Sequence, residues 1–184
     1  GNPGLDPEQN YQADLIYSYS SDRLMLETDL FYSYMTDYIT AAVNSDIRRV
    51  YMPNQDPKYV KQYTNIEEAV QRGFEAKMSY QLLNTLGFRG SVGYTWAKNL
   101  EWDEPLPEIP PLESTLAARY EQQNGRYWAE LELRLVGEQD RVAPSFNESA
   151  TGGFEVVNAY LGYRPLDDLE IRASIENIFY ATYY

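Results

Sequence analysis

The stretch LMLETDLFYSYMTDYITAAVN, residues 24–44, decides the fold because its side chains divide between a mainly apolar and a mainly polar face at alternate positions. A period of two is typical of a β-strand with two different faces. The mainly apolar face holds Leu24, Leu26, Thr28, Leu30, Tyr32, Tyr34 and Tyr38, and the opposite face holds Glu27, Asp29, Ser33 and Asp37, with Met25, Phe31 and Met35 among them. A strand of about twenty residues is far longer than the five or six that are usual in a soluble sheet.

The same alternation recurs along the chain and predicts about eight strands. The other seven predicted strands cover residues 10–21, 63–82, 88–99, 112–120, 127–135, 157–163 and 169–178. Within the fifth of these, Leu131, Leu133 and Leu135 alternate with charged side chains. The strands are therefore predicted to expose one apolar and one polar face throughout.

The connections between the predicted strands alternate in length. Short turns fall near residues 21, 85, 124 and 166, and Asn124-Gly125 is a strong hairpin signal. Long loops cover about 45–60, 101–111 and 137–153. Tight turns on one side of the membrane and long loops on the other are typical of outer-membrane β-barrels. We therefore predict an all-β, antiparallel, up-and-down transmembrane β-barrel.

Composition is consistent with this fold and excludes several functions. The mean hydropathy of −0.56 is what alternating polar and apolar faces give when averaged. Cysteine and histidine are absent, which excludes disulfides, thiolate or imidazole metal sites, and catalytic triads that need either residue. A net charge of −13 argues against a nucleic-acid-binding surface.

The carboxylate pairs Glu27/Asp29 and Glu130/Glu132 could in principle do acid–base chemistry. The simpler explanation for charges that face a barrel lumen is that they are solvated or paired with Arg119 and Arg134. We therefore predict that the protein is not an enzyme and needs no cofactor. Two other interpretations of the pattern remain open. One is a small structural or adhesive membrane barrel, and the other is a soluble β-barrel that binds a ligand.

Three motifs resemble those of TonB-dependent outer-membrane receptors, and together they cover nearly the whole chain. GNPGLDPE at 1–8 resembles the element before the last third of the barrel, VQRGFEAKMSYQL at 70–82 a common barrel strand, and IENIFYATYY at 175–184 the element before the final strand. Within the family, the stretches 110–121, 138–142 and 152–165 are most similar to copper-type receptors.

The resemblance implies that residues 1–184 are the C-terminal portion of a barrel of about 22 strands. A plug domain of the same polypeptide and a final strand are then expected outside this sequence. Such receptors lie in the bacterial outer membrane, among lipid and lipopolysaccharide. They import a scarce metal or metal chelate, such as a siderophore or copper, when TonB acts on the plug.

The loop at 45–60 is the best candidate for substrate contact. Arg48, Arg49, Tyr51 and Met52 occur together there, and this set can hold an anionic or aromatic chelate by charge and stacking. If the copper-type resemblance holds, the Met52 thioether suits Cu(I). A solvated loop, or basic groups that touch lipopolysaccharide phosphate, is the competing interpretation, and the identity of any metal stays open.

Overall fold

Antiparallel pairing joins all the strands of the computed structural model, which describes residues 2–51 and 58–182, into one sheet. The strands are β1 Gln9–Ser20, β2 Leu24–Arg48, β3 Tyr59–Leu83, β4 Leu86–Asn99, β5 Glu104–Pro105, β6 Glu113–Glu121, β7 Tyr127–Val136, β8 Phe154–Leu166 and β9 Leu169–Ile175. The sheet order is β1-β2-β3-β4-β6-β7-β8-β9, and the two-residue β5 pairs with β4. The eight long strands confirm the predicted up-and-down arrangement.

Only one short 3-10 helix, Pro144–Phe146, occurs in the part of the chain that the structure describes. No helix in this described part is both long enough and apolar enough to cross a membrane.

The register sorts the side chains into two faces. One row of aligned residues crosses most of the sheet on what we call the apolar face: Leu26, Met78, Gly90, Leu116, Leu133 and Val157. The neighbouring row on the opposite, polar face is Met25, Ser79, Arg89, Ala117, Glu132 and Asn158. Leu131 and Leu161 on the apolar face are 55% and 57% exposed, as expected for side chains that require an apolar surrounding.

Aromatic side chains border the apolar face near both ends of the strands. The rings of Tyr127 and Tyr163 stack at 4.7 Å next to the short turns, and Phe74 and Tyr94 lie 6.3 Å apart toward the long loops. On β2 the band runs from Leu24 to Tyr32, which at about 3.4 Å per residue and a tilt of about 40° is roughly 21 Å tall. This height is close to the apolar band of an outer-membrane barrel.

The hairpin between β2 and β3 is longer than the sequence pattern predicts. β2 continues to Arg48 and β3 begins at Tyr59, with a register shift between Asn44 and Arg48. Arg48 is therefore the last residue of a strand, and its prediction as a loop residue is wrong. Tyr59, Val60 and Tyr63 are residue types enriched in strands, and they are the signal that could have located the start of β3.

Tyr38 does not share the face of Leu24 and Tyr34, contrary to the sequence prediction. Asp37 has φ 53°, a left-handed conformation that interrupts the strand pleat. Beyond it, Tyr38 packs against the same buried cluster as Met35. In a regular strand these two residues, three positions apart, would lie on opposite faces. The alternation therefore changes at Asp37.

Replacing Leu133 by Arg tests which face meets lipid. Leu133 lies in the middle of the apolar face, where burial of a guanidinium in hydrocarbon should lower the free energy of unfolding by about 2–4 kcal/mol. The measurement is urea unfolding of the full-length protein inserted in lipid vesicles.

Ser18→Arg is the matched control, because Ser18 occupies an adjacent row on the polar face, lies opposite Glu27 and is exposed. We expect it to change the free energy of unfolding by no more than about 0.5 kcal/mol. Equal costs for the two substitutions would contradict the assignment of the faces.

Candidate functional site

Two long loops fold back over the polar face at the loop end of the sheet. We call residues 100–112 the first cap loop and residues 137–153 the second cap loop. Leu106 of the first cap loop is buried in a cluster with Met35, Ile66, Ala69 and Ala97. Its N–H donates to the Ala97 carbonyl at 3.3 Å. Apolar packing against the strands therefore fixes the first cap loop in place.

Local polar contacts shape the turn that begins the first cap loop. The Asn99 side-chain oxygen accepts a hydrogen bond from the Trp102 N–H at 3.0 Å. Asp103 adopts φ 55° and forms an ion pair with Lys98. A hydrogen bond from the Lys98 ammonium, together with its charge, holds the pKa of the Asp103 carboxyl below its usual value.

The second cap loop is tied to the first by carboxylates. Glu148 accepts hydrogen bonds from the backbone N–H groups of Glu108 and Ala143, both at 2.9 Å. Glu104 accepts from the Ser145 hydroxyl, and from the Ser145 N–H at 3.3 Å. The Glu108–Glu148 and Ser145–Glu104 contacts join residues about forty positions apart in sequence, so the two loops form one layer.

This layer also reaches the long hairpin. The Lys61 ammonium of β3 lies over the Phe146 ring at 3.2 Å from its centroid. A cation over an aromatic face is worth about 0.5–1 kcal/mol at an exposed site. The second cap loop therefore reaches from the end of β7 back to β3.

The predicted contact residues that the structure describes lie together at the hairpin tip, residues 48–51 and 58–59. Arg48 pairs with Tyr59, and the Arg49 N–H donates to the Lys58 carbonyl at 3.1 Å. Tyr51 is 86% exposed. Met52 lies outside the described residues. Sequence reasoning missed Lys58 and Tyr59, which add a third cation and a second aromatic ring to the tip.

Charges on the polar face pair with one another near the short turns. The carboxylate–guanidinium contacts are Arg89–Glu130, Arg119–Glu130 at 3.8 Å, Arg119–Glu121 at 3.2 Å, Arg164–Glu121 at 3.1 Å, Arg164–Glu170 at 3.5 Å and Arg172–Glu170 at 3.1 Å. Each cross-strand pair of opposite charge adds roughly 0.2–1 kcal/mol. These ion pairs stabilise the sheet from β4 to β9.

Trp128 lies among these ion pairs. Its indole N–H donates to Glu170 at 2.8 Å, and the Arg119 guanidinium lies 4.0 Å from its ring centroid. A Cβ at position 162 would lie 2.0 Å from the indole nitrogen, so only glycine leaves room for the ring against β8.

The Glu130/Glu132 pair does not act as one unit. Glu130 binds Arg89 and Arg119, whereas Glu132 accepts hydrogen bonds from the Asn158 amide at 3.1 Å and the Tyr160 hydroxyl at 3.4 Å. Each carboxylate thus has its own partners on neighbouring strands. Within residues 2–51 and 58–182, no group of three or more His, Cys, Asp or Glu side chains is placed to hold a metal ion.

Comparisons with known proteins identify relatives of this architecture. The family model described as TonB dependent receptor-like, beta-barrel, matches residues 1–178. The solved structure of the copper transporter OprC is similar with a TM-score of 0.85 and 27% identity, over 98% of this chain and 26% of that chain. A search of curated proteins by sequence gave no match.

Two further solved structures share the fold at lower identity. The FrpB iron transporter from Neisseria meningitidis (F3-3 variant) matches with a TM-score of 0.72 and 17% identity, over 98% of this chain and 28% of that chain. The ferric yersiniabactin uptake receptor FyuA from Yersinia pestis matches with a TM-score of 0.70 and 15% identity, over 96% of this chain and 26% of that chain. This chain spans about a quarter of the length of these structures.

Replacing Glu148 by Ala should loosen the second cap loop. Loss of two backbone hydrogen bonds, each worth about 0.5–1.5 kcal/mol, should raise the population of the open loop about tenfold. Trypsin cleavage after Arg141, followed by peptide mass spectrometry on the full-length protein, measures this opening.

Glu138→Ala is the control. Glu138 lies exposed in the same loop, and its substitution removes the same charge. Its cleavage rate should match the wild type. If Glu148→Ala were cleaved no faster than Glu138→Ala, the carboxylate would not hold the two cap loops together.

Proposed function

Because this chain belongs to the β-barrel family of TonB-dependent receptors, we propose that it forms barrel wall and extracellular loops of an outer-membrane receptor that imports a scarce nutrient. The nutrient is a metal or a metal chelate, and TonB supplies the energy for its import. The family match over residues 1–178 is the observation that carries this proposal. The named relatives, a copper transporter, an iron transporter and a siderophore receptor, support the substrate class.

In this proposal the chain is the C-terminal portion of a barrel of about 22 strands, and a plug domain of the same polypeptide closes the lumen. The apolar face contacts outer-membrane lipid, and the polar face lines the lumen. β1 and β9 lie at opposite edges of the sheet and do not pair with each other. Backbone groups at such edges need hydrogen-bond partners in a membrane, so further strands are expected on both sides.

The hairpin tip is the proposed first contact for substrate. Arg48 and Arg49 would bind the anionic groups of a chelate, and Tyr51 would stack on its aromatic parts. Met52 would supply a soft thioether if copper is the cargo. The cap loops would narrow the entrance to the lumen. The predicted contact residues would bind the substrate and would take part in no covalent chemistry.

An uptake assay tests the proposal directly. Cells that produce the full-length receptor should accumulate copper or a ferric siderophore faster than cells that lack it, and loss of TonB should abolish the difference. Metal content per cell, measured by mass spectrometry, is the readout. Uptake that does not depend on the receptor or on TonB would favour a structural or adhesive barrel instead.

Substitutions at the predicted contact residues should separate the two cargo types. Arg48→Gln with Arg49→Gln removes two charge-assisted contacts and should raise the half-saturating concentration of an anionic ferric chelate about tenfold. Met52→Ala should raise that of copper and leave the ferric chelate unchanged. The measurement is the concentration dependence of uptake.

Arg23→Gln is the control for lost charge, because Arg23 is exposed in the short turn between β1 and β2, at the other end of the strands. It should take up both cargoes as the wild type does. If the tip variants also matched the wild type for every cargo, the substrate would be bound elsewhere.

A further inference from the structure

The segment before β1 is fastened to β2 and β3. We call residues 2–8, which hold most of the GNPGLDPE motif, the strap. The Asp6 N–H donates to the Asn65 side-chain oxygen at 2.8 Å, and the Asn65 amide donates to the Asp6 carbonyl at 2.9 Å. The Asn2 amide donates to the Tyr63 carbonyl at 3.0 Å. Because β2 lies between β1 and β3 in the sheet, the strap passes over β2 to reach β3.

Asn65 also bonds to the point where β2 is distorted. Its amide donates a hydrogen bond to the carbonyl of Asp37, the residue with the left-handed φ of 53°. A non-glycine residue keeps such an angle only where its surroundings hold it there. Just beyond it, the Ile39 N–H donates to the Glu8 carboxylate of the strap at 3.2 Å. Asn65 and Glu8 thus supply hydrogen-bond partners to the backbone at and just after the distortion.

The part of the long hairpin beyond this distortion has no neighbouring strands. We call residues 39–48 of β2 and residues 59–66 of β3 the arm. β1 pairs with β2 only as far as Thr36, and β4 pairs with β3 only as far as Ala69. In the part of the chain that the structure describes, no further strand lies beside the arm. A two-stranded hairpin is marginally stable in water on its own, so the orientation of the arm depends on contacts at its base.

Two kinds of contact hold the base of the arm. The Lys61 ammonium lies over the Phe146 ring, and Ile66 packs in the buried cluster under the first cap loop. Apolar packing is non-directional, whereas hydrogen bonds prefer a nearly linear geometry. The hydrogen bonds of the strap are therefore the contacts that best define the direction of the arm.

We propose that Asn65 is a positioning residue for the substrate: through the strap it holds the arm in one orientation and so places Arg48 and Arg49 at the tip. This inference rests on the proposed function, in which the hairpin tip makes the first contact with substrate. A tip that is already held in place loses less conformational entropy when the substrate binds. Asn65 pairs with Ile39, at the opposite end of the arm from Arg48, so it acts without touching the substrate.

Hydrogen exchange of the full-length protein in mild detergent tests the strap. Asn65→Ala removes three hydrogen bonds and should speed amide exchange of residues 4–8 and 39–46 about tenfold. Asn65→Asp keeps an acceptor for the Asp6 N–H but cannot donate to either carbonyl, so we expect a similar increase. Asn84→Ala is the matched control. It removes an exposed amide from the turn between β3 and β4, at the other end of β3, and should exchange as the wild type does.

A second variant probes the same strap from its other contact. Glu8→Ala removes the acceptor for the Ile39 N–H and should also speed exchange of residues 39–46. If Asn65 and Glu8 act through one strap, the double variant should exchange little faster than Asn65→Ala alone. Increases that multiply in the double variant would show two independent contacts and would overturn the proposal that Asn65 acts through the strap.

Uptake measures the consequence for substrate, with a copper salt and a ferric catecholate as the probes. Asn65→Ala should raise the half-saturating concentration of the imported probe about fivefold, because binding must then also order the arm. The maximal rate should stay unchanged, since the arm acts in binding and not in the import step. A receptor that merely folded poorly would show a lower maximal rate instead. Asn84→Ala should match the wild type in both quantities.

Wild-type exchange in Asn65→Ala would overturn the proposal, because the strap would then be held without Asn65. Faster exchange with an unchanged half-saturating concentration would also overturn it, because the orientation of the arm would then have no effect on binding. If the wild type took up neither probe, the proposed function would fail, whereas the exchange result would still decide whether Asn65 holds the arm.

Discussion

The backbone ladder that joins β1 to β9 is the interaction on which the other features of this structure depend. Hydrocarbon offers no partner to an N–H or a carbonyl, so a chain that crosses a membrane in strands must satisfy each backbone group with a neighbouring strand. The register of that ladder is therefore fixed, and with it the face on which each side chain lies. Leu116, Leu133 and Val157 share a face because their strands pair in this register, and Ala117, Glu132 and Asn158 take the other face for the same reason.

This sorting divides the chemistry of the wall into two kinds of surface. On the polar face, guanidiniums and carboxylates of adjacent strands neutralise one another, and Trp128 packs flat where Gly162 leaves room for it. On the apolar face, side chains such as Leu131 and Leu161 are more than half exposed, and lipid would cover them in the proposed barrel. The buried protein core is small and lies at the loop end, where the first cap loop packs on β2 to β4. In the proposed barrel, the backbone ladder and the surrounding lipid would stabilise the wall. The cap loops depend on a few buried apolar contacts and on the carboxylates of Glu104 and Glu148.

The period of two over residues 24–44 and the alternation of short and long connections were sufficient to predict the fold, because both follow directly from strand geometry. The Asn124-Gly125 turn was also predictable, and Gly125 takes φ 68° there. Features set by a single backbone angle were not predictable: the left-handed conformation of Asp37 moves Tyr38 to another face without any change in composition. Of the candidate site, the mixture of cations and aromatics at the hairpin tip was visible in the sequence, but the extension of β2 to Arg48 was not. The hydrogen bonds that Glu148 accepts from the Glu108 N–H and that Glu104 accepts from Ser145 join distant positions and leave no local pattern.

The most direct test of the account is the contact of alternate β7 residues with lipid. The sequence contains no cysteine, so single cysteines can be placed at each position from 130 to 135 and labelled with a fluorescent bimane. In vesicles of brominated lipid, we expect strong quenching at 131, 133 and 135 and weak quenching at 130, 132 and 134, because only the first set would face hydrocarbon. Quenching that is uniform along β7, or that alternates in the opposite sense, would contradict the assignment of the apolar face to lipid and with it the barrel wall proposed for this chain.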